Sequence, residues 1–292
     1  SVMAASESLR TQPSAMAESP PPGSGAPISE DEALARLRQN DNQGDQYYAA
    51  WWLGRMRSQH PETVPLLCRA LAQRHQGVPG SGVEHNAVAR NAARALGKLG
   101  SSAQAAIPDL LITLDDDDDG LREAAARALG ELQCREAAAV IARRLAPGPA
   151  VVGIRRADSP RLVEPCEAML EALGAVGVNT PEVQAVIEPF LGHERPLIRS
   201  AACRALLQLS RDARWAEPLL DLLRHPQLQV RRAALMDLGA VGWRPALEPI
   251  ARTLAENSLK LIALRGLVEN HPATVETAIS TSAVLAVMDD LL

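Results

Sequence analysis

Apolar positions recur along this chain at helical spacing, and one helical phrase returns from end to end. The phrase is clearest in Arg90-Asn91-Ala92-Ala93-Arg94-Ala95-Leu96-Gly97-Lys98-Leu99-Gly100. It returns as Arg122-Glu123-Ala124-Ala125-Ala126-Arg127-Ala128-Leu129-Gly130 and as Val230-Arg231-Arg232-Ala233-Ala234-Leu235-Met236-Asp237-Leu238-Gly239. Weaker copies end at Leu173-Gly174, Leu206 and Leu267, and Tyr47 to Arg55 aligns as the first. A spacing of roughly 30 to 45 residues belongs to stacked helix pairs, each covering only its neighbours. The expected fold is all-α, a right-handed α-solenoid of about seven helix pairs with the phrase on the inner, concave helix. Outer helices are expected to open at Ser29, at Pro61-Glu62, and near Ser102, Arg135, Pro181, Arg211 and Trp243-Arg244-Pro245.

Aligned on the Leu of the phrase, the inner helices can be compared column by column. Two residues before that Leu stand Trp51, Arg94, Arg127, Glu171, Arg204, Met236 and Arg265. One before it and five before it, neighbouring inner helices should touch, and the residues are mostly alanine. Trp52, Tyr48, Asn91 and Asp237 break that rule. Tyr47, Tyr48, Trp51 and Trp52 concentrate four aromatic residues within six positions of a chain that is 2% aromatic. At helical spacing Tyr47, Trp51 and Arg55 form one stripe and Tyr48 and Trp52 the next. Two readings stay open: a flat groove surface for a conjugated ligand, or a plug for the open end of the stack. Arg55, Arg90 and Arg94 can clamp carboxylates bidentately. Asp237, in an alanine column, is expected either to form an ion pair with Arg231 or Arg232 or to carry the shifted pKa that acid or base chemistry needs.

Bulk properties narrow the choice of partner. At 292 residues and 47% hydrophobic, the chain can bury a large core. A net charge of −5 supplies no field to gather nucleic acid. Cys68, Cys134, Cys166 and Cys203 lie far apart with no Cys-x-x-Cys pair, as in a reducing compartment, and the histidines lack ligand spacing, so no metal is expected. With no apolar run of about 20 residues and no signal-peptide core, the expected location is cytoplasmic.

Residues 1–27 are rich in Ser, Pro, Ala and Gly and read as a disordered tail, with 28–292 as one repeat array. Two connections are overlong, 74–85 and 146–163, and should emerge on one rim; Arg155-Arg156 marks the expected tip of the second. The acidic run Asp115 to Asp119 reads as a solvated helix cap paired with a nearby arginine, with calcium binding as the alternative. Ser282 to Leu292 is amphipathic, either an end cap or a docking helix.

These residues resemble HEAT repeats and, more narrowly, the E subunit of the E/F-type phycobilin lyases. The specific blocks are Tyr47 to Arg55 and Ala255-Glu256-Asn257-Ser258-Leu259-Lys260. The resemblance implies a lyase of phycobilisome assembly acting as a heterodimer with an F-type subunit. It implies phycocyanobilin or a related bilin as bound substrate, with no further cofactor, and a cysteine of the apo phycocyanin alpha subunit as acceptor. On this reading the bilin lies over Trp51 and Tyr47, within a site completed by Tyr48, Trp52 and Asn91. Its propionates rest on Arg55, Arg90 or Arg94, and Asp237 partners the pyrrole nitrogens as the catalytic carboxylate. The rival reading is a non-catalytic scaffold whose groove binds protein helices.

Overall fold

The computed structural model describes residues 28–73 and 86–292. The expected tail at 1–27 and the insertion at 74–85 lie outside the described residues. What is described divides into two compact units, 28–178 and 179–292. Both are all-α; among the described residues the one extended pairing is an isolated bridge between Arg155 and Leu162.

The first unit holds four helix pairs. They are α1 (Glu30–Arg38) with α2 (Gln43–Arg55), α3 (Thr63–Leu71) with α4 (Ala87–Leu99), α5 (Ile107–Thr113) with α6 (Asp119–Glu131), and α7 (Ala137–Leu145) with α9 (Cys166–Val176); the short α8 (Pro149–Val152) lies within the last connection. Their starts follow local chemistry. Ser29 accepts from Glu32 N–H, Asn42 from Asp45 N–H and Asp118 from Leu121 N–H, each satisfying a donor that the first helical turn leaves open. Proline stands in the first turn of α5.

The second unit holds three pairs: α10 (Pro181–Ile187) with α11 (Pro196–Ser210), α12 (Ala216–Leu222) with α13 (Leu228–Val241), and α14 (Leu247–Arg252) with α15 (Asn257–Glu269). α16 (Thr281–Leu291) follows, and its Val284 and Met288 are buried in the core of this unit. The amphipathic C-terminal segment therefore caps its own stack. Three outer helices open or close in a 3-10 turn, at 188–192, 213–215 and 244–246.

Stacking of the inner helices explains the Leu-Gly phrase. The Leu fills the core, and Leu53, Leu96 and Leu129 are fully buried. The Gly lets the next inner helix come closer than any side chain would allow. A Cβ on Gly97 would stand 2.8 Å from the Cα of Ala128, and one on Gly54 would stand 2.7 Å from that of Ala95. Glycine here is demanded by close approach, since these helical residues have no positive φ. The alanine columns are thus the contact faces of neighbouring repeats.

The long 146–163 connection is ordered by ion pairs. Arg122 and Glu164 pair at 3.1 Å with both side chains almost fully buried, and Arg144 grips Glu164 at 3.1 and 2.9 Å. Arg156 and Arg161 hold Asp119 at 2.7 and 2.6 Å. Arg143 and Arg144 take Asp115. Asp115 and Asp119 are therefore spent on arginines and Asp118 on the cap of α6. Arg156 lies on the arm of the connection, bound to α6, and not at a projecting tip.

Candidate functional site

α2 carries the aromatic block into a half-buried setting. Tyr47, Tyr48, Trp51, Trp52 and Arg55 are all partly exposed, while Ala49, Ala50 and Leu53 on the opposite side are fully buried. The rings keep a face toward solvent. The ring contact crosses the two stripes expected from periodicity. Tyr48 stacks on Trp51 with centroids 5.7 Å apart and planes 21° from parallel, and the Arg36 guanidinium lies 5.6 Å over the Tyr48 ring. The difference is geometric: residues three apart are as close on a helix as residues four apart. Arg36 comes from α1 and breaks no column, so inner-helix alignment gave it no signal; a cation one helix back from an aromatic block was the clue available.

Asn91 and Arg94 join α4 to this block. Asn91 is buried, donates from Nδ2 to the Tyr47 carbonyl at 3.2 Å, and accepts from Arg94 Nη1 at 3.0 Å. It therefore acts on Arg94 and on the backbone of α2. Arg90 turns toward the following repeat, where a Cβ on Gly120 would stand 2.8 Å from its Nη1 and where its charge helps hold Asp118 below the usual carboxylate range against the effect of burial. Arg55 has Nη1 buried and without a hydrogen-bond partner. An orphaned guanidinium nitrogen costs on the order of 1–3 kcal/mol, which an anionic or carbonyl acceptor would recover.

Asp237 belongs to the second unit and is buried on α13. Its carboxylate accepts from Ser200 Oγ and from Arg204 Nη1, the latter at 3.2 Å. The expected partners, Arg231 and Arg232, are engaged elsewhere. Arg231 Nη1 donates to the carbonyls of His225 and Pro226 at 2.7 and 3.0 Å, and Arg232 pairs with Glu256. A further column of the repeat explains this. Seven residues before the anchoring Leu, Arg122 and Arg199 make the same two bonds as Arg231, to the carbonyls six and five residues back; Gln46 reaches the carbonyl seven back. This position closes the turn between the two helices of a pair, so Arg231 is committed to backbone.

In the second unit a cleft of about 270 Å³ opens on the groove column, lined by Arg204, Met236, Ile262, Arg265 and Glu269 among others. Burial weakens two of the thiols as nucleophiles, pushing Cys68 up to about 11 and Cys203 up to about 12, and raises Cys134 as well. No group of three or more His, Cys, Asp or Glu among the described residues could hold a metal ion.

Helix pairs with this phrase and spacing define a HEAT-repeat protein. The chain matches the family described as HEAT repeats over 82–159 and 164–239, and the family described as PBS lyase HEAT-like repeat over 45–73 and 230–256, which takes in the aromatic block. It is 46% identical over 266 residues to the bilin biosynthesis protein RpcE of Synechococcus sp., covering 91% of this chain and 96% of that one. It is 44% identical to the phycocyanobilin lyase subunit alpha of Picosynechococcus sp., over 90% of this chain and 96% of the relative. In structure it resembles a chain in the complex of CpcE and CpcF of phycocyanin lyase from Nostoc sp. PCC7120, with a TM-score of 0.81 and 39% identity over 94% of this chain and 99% of that chain. The chain belongs to the phycocyanobilin lyase alpha-subunit family.

Proposed function

We propose that this protein is the alpha subunit of a heterodimeric bilin lyase of the cytoplasm. With an F-type partner it holds phycocyanobilin, or a related open-chain tetrapyrrole, and helps join it by a thioether bond to a cysteine of the apo phycocyanin alpha subunit. The observation that carries this reading is the Arg36–Tyr48–Trp51 stack beside Arg55, whose Nη1 is buried and unpartnered. Offset aromatic planes accept a flat conjugated body, and Arg55 and the Asn91-held Arg94 suit its propionates. Arg90, turned toward Asp118, is left out of this clamp.

In the reaction a thiolate adds to the ethylidene carbon of the bilin. The C–S bond forms, the exocyclic double bond is lost, and the displaced electron pair is taken up by the protonated conjugated system. The thiolate is that of the acceptor protein, in keeping with the raised thiol pKa values of Cys68 and Cys203 in this chain. This chain contributes by fixing the bilin's conformation and its reactive end. Asp237 supports the arginine beside it, and its bonds to Ser200 and Arg204 favour that role over direct proton transfer. The test is to mix the protein and its F-type partner with phycocyanobilin, record the visible spectrum, and then add apo phycocyanin alpha and follow colour that survives denaturation. A red-shifted bound spectrum and covalent attachment are expected. An unchanged free-bilin spectrum would instead indicate a scaffold.

A further inference from the structure

The cleft of the second unit has a chemistry of its own. Its floor is the close approach of α13 and α15, where a Cβ on Gly239 would stand 2.9 Å from the Cα of Ala263. Met236 and Ile262 line it as partly buried apolar walls. Each of its two guanidinium groups is already neutralised: Arg204 by Asp237 at 3.2 Å, Arg265 by Glu269 at 2.6 Å. With Asp237 behind Arg204 counted, the charges at the cleft cancel, which does not suit an isolated anion. The cleft does carry a donor and an acceptor from successive turns, because Arg265 Nη1 is buried with no hydrogen-bond partner and Glu269, bonded to Arg265 Nε, is an exposed carboxylate. A group with a carbonyl and an N–H on the same edge meets both. That group is a cis amide, which a small molecule presents as a lactam.

Size narrows the ligand further. Pockets that enclose whole drug-sized molecules run to roughly 300–1,000 Å³. At about 270 Å³ this cleft takes one end of a longer ligand. We propose that the cleft binds the lactam end of a linear tetrapyrrole, Arg265 Nη1 donating to the ring carbonyl, Glu269 accepting from the ring N–H, and Met236 and Ile262 packing on the ring faces. Asp237 and Ser200 hold Arg204 on the cleft wall. The lactam pairing stands on the cleft; the choice of a tetrapyrrole as its source rests on the bilin reading above.

The test uses the full chain and a dipyrrinone, the two-ring half of a bilin that carries one lactam, in equilibrium dialysis beside an N-methyl-lactam dipyrrinone. The wild-type protein binds the first at least about tenfold more tightly than the second, the difference expected when one hydrogen bond to a charged group is lost. Arg265→Met and, independently, Met236→Glu lower dipyrrinone affinity by about tenfold or more while the melting temperature stays within a few degrees of wild type. Arg224→Ala, at an exposed residue outside the cleft lining, leaves dipyrrinone binding as it was. Equal binding of the two dipyrrinones, no binding of either, or wild-type binding by Arg265→Met overturns the proposal. Those results leave the bilin reading of the aromatic block standing, because that reading fails only if whole phycocyanobilin is not bound.

Discussion

Each unit places a polar residue in an alanine contact column and uses it differently. In the first, Asn91 interrupts the alanine column five before the anchor; being neutral, it joins the Tyr47 carbonyl to the Arg94 guanidinium. In the second, Asp237 interrupts the column one before the anchor; being charged, it needs Arg204 and Ser200 to remain buried. In both cases a residue that breaks helix stacking fixes an arginine of the groove column. A breach of repeat consensus at a contact face thus identifies the residue that aims a neighbour, and the neighbour is what a ligand meets.

The charges of the two breaches predict unequal costs. Asp237→Ala takes a buried carboxylate from a partly buried guanidinium and a buried hydroxyl, and chemical denaturation should show a loss of about 3 kcal/mol. Asn91→Ala removes two neutral-acceptor hydrogen bonds, and the same experiment should show about 1–2 kcal/mol. A larger loss for Asn91→Ala than for Asp237→Ala would reverse the comparison. Asp237→Asn sharpens it: the carboxamide keeps the shape and loses the charge. The melting temperature should fall while the spectrum of bilin bound at the aromatic block stays as in wild type; a spectrum that shifts with it would return Asp237 to the bilin.

Smaller effects attend the ion pairs of the 146–163 connection. Burial raises the pKa of Asp119, but bonds and charge from Arg161 and Arg156 outweigh it and hold the carboxyl below its ordinary 3.8. For Asp115 burial is likewise outweighed, by Arg143 and Arg144. A carboxylate with a depressed folded pKa contributes stability that is fully present above about 3.8 and lost as pH falls through the lower folded value. Amide protection factors over 154–163, measured relative to intrinsic exchange, should therefore fall below that pH and stay flat between 5 and 8. Arg156→Ala, half exposed, should lower stability by no more than about 1 kcal/mol and leave the Arg122–Glu164 pair intact.

Much of this was legible in the sequence. The phrase ending in Leu-Gly set seven inner helices, and Ser29 opened the first outer one. Column alignment singled out Asn91 and Asp237 as misfits, because a contact face tolerates little beyond alanine. It could not supply their partners, which come from across the helix contact: Tyr47 backbone and Arg94 for one, Ser200 and Arg204 for the other. Nor did it distinguish Arg231, which closes a turn on backbone carbonyls, from an arginine with its charge to share. Arg36 went unseen because it lies one helix away from the ring it covers. Carbonyl acceptors and cross-helix cations leave no periodic trace.

The most direct test of the account is a titration of phycocyanobilin into the wild-type heterodimer and into heterodimers carrying Trp51→Ala or Arg55→Met, with absorbance and melting recorded on the same preparation. Both positions are partly exposed, so melting should move little. The account predicts that each variant loses most of the red-shifted bound absorbance and of the subsequent transfer to apo phycocyanin alpha. Wild-type absorbance and transfer in both variants would contradict it and remove the aromatic block of α2 from the bilin site.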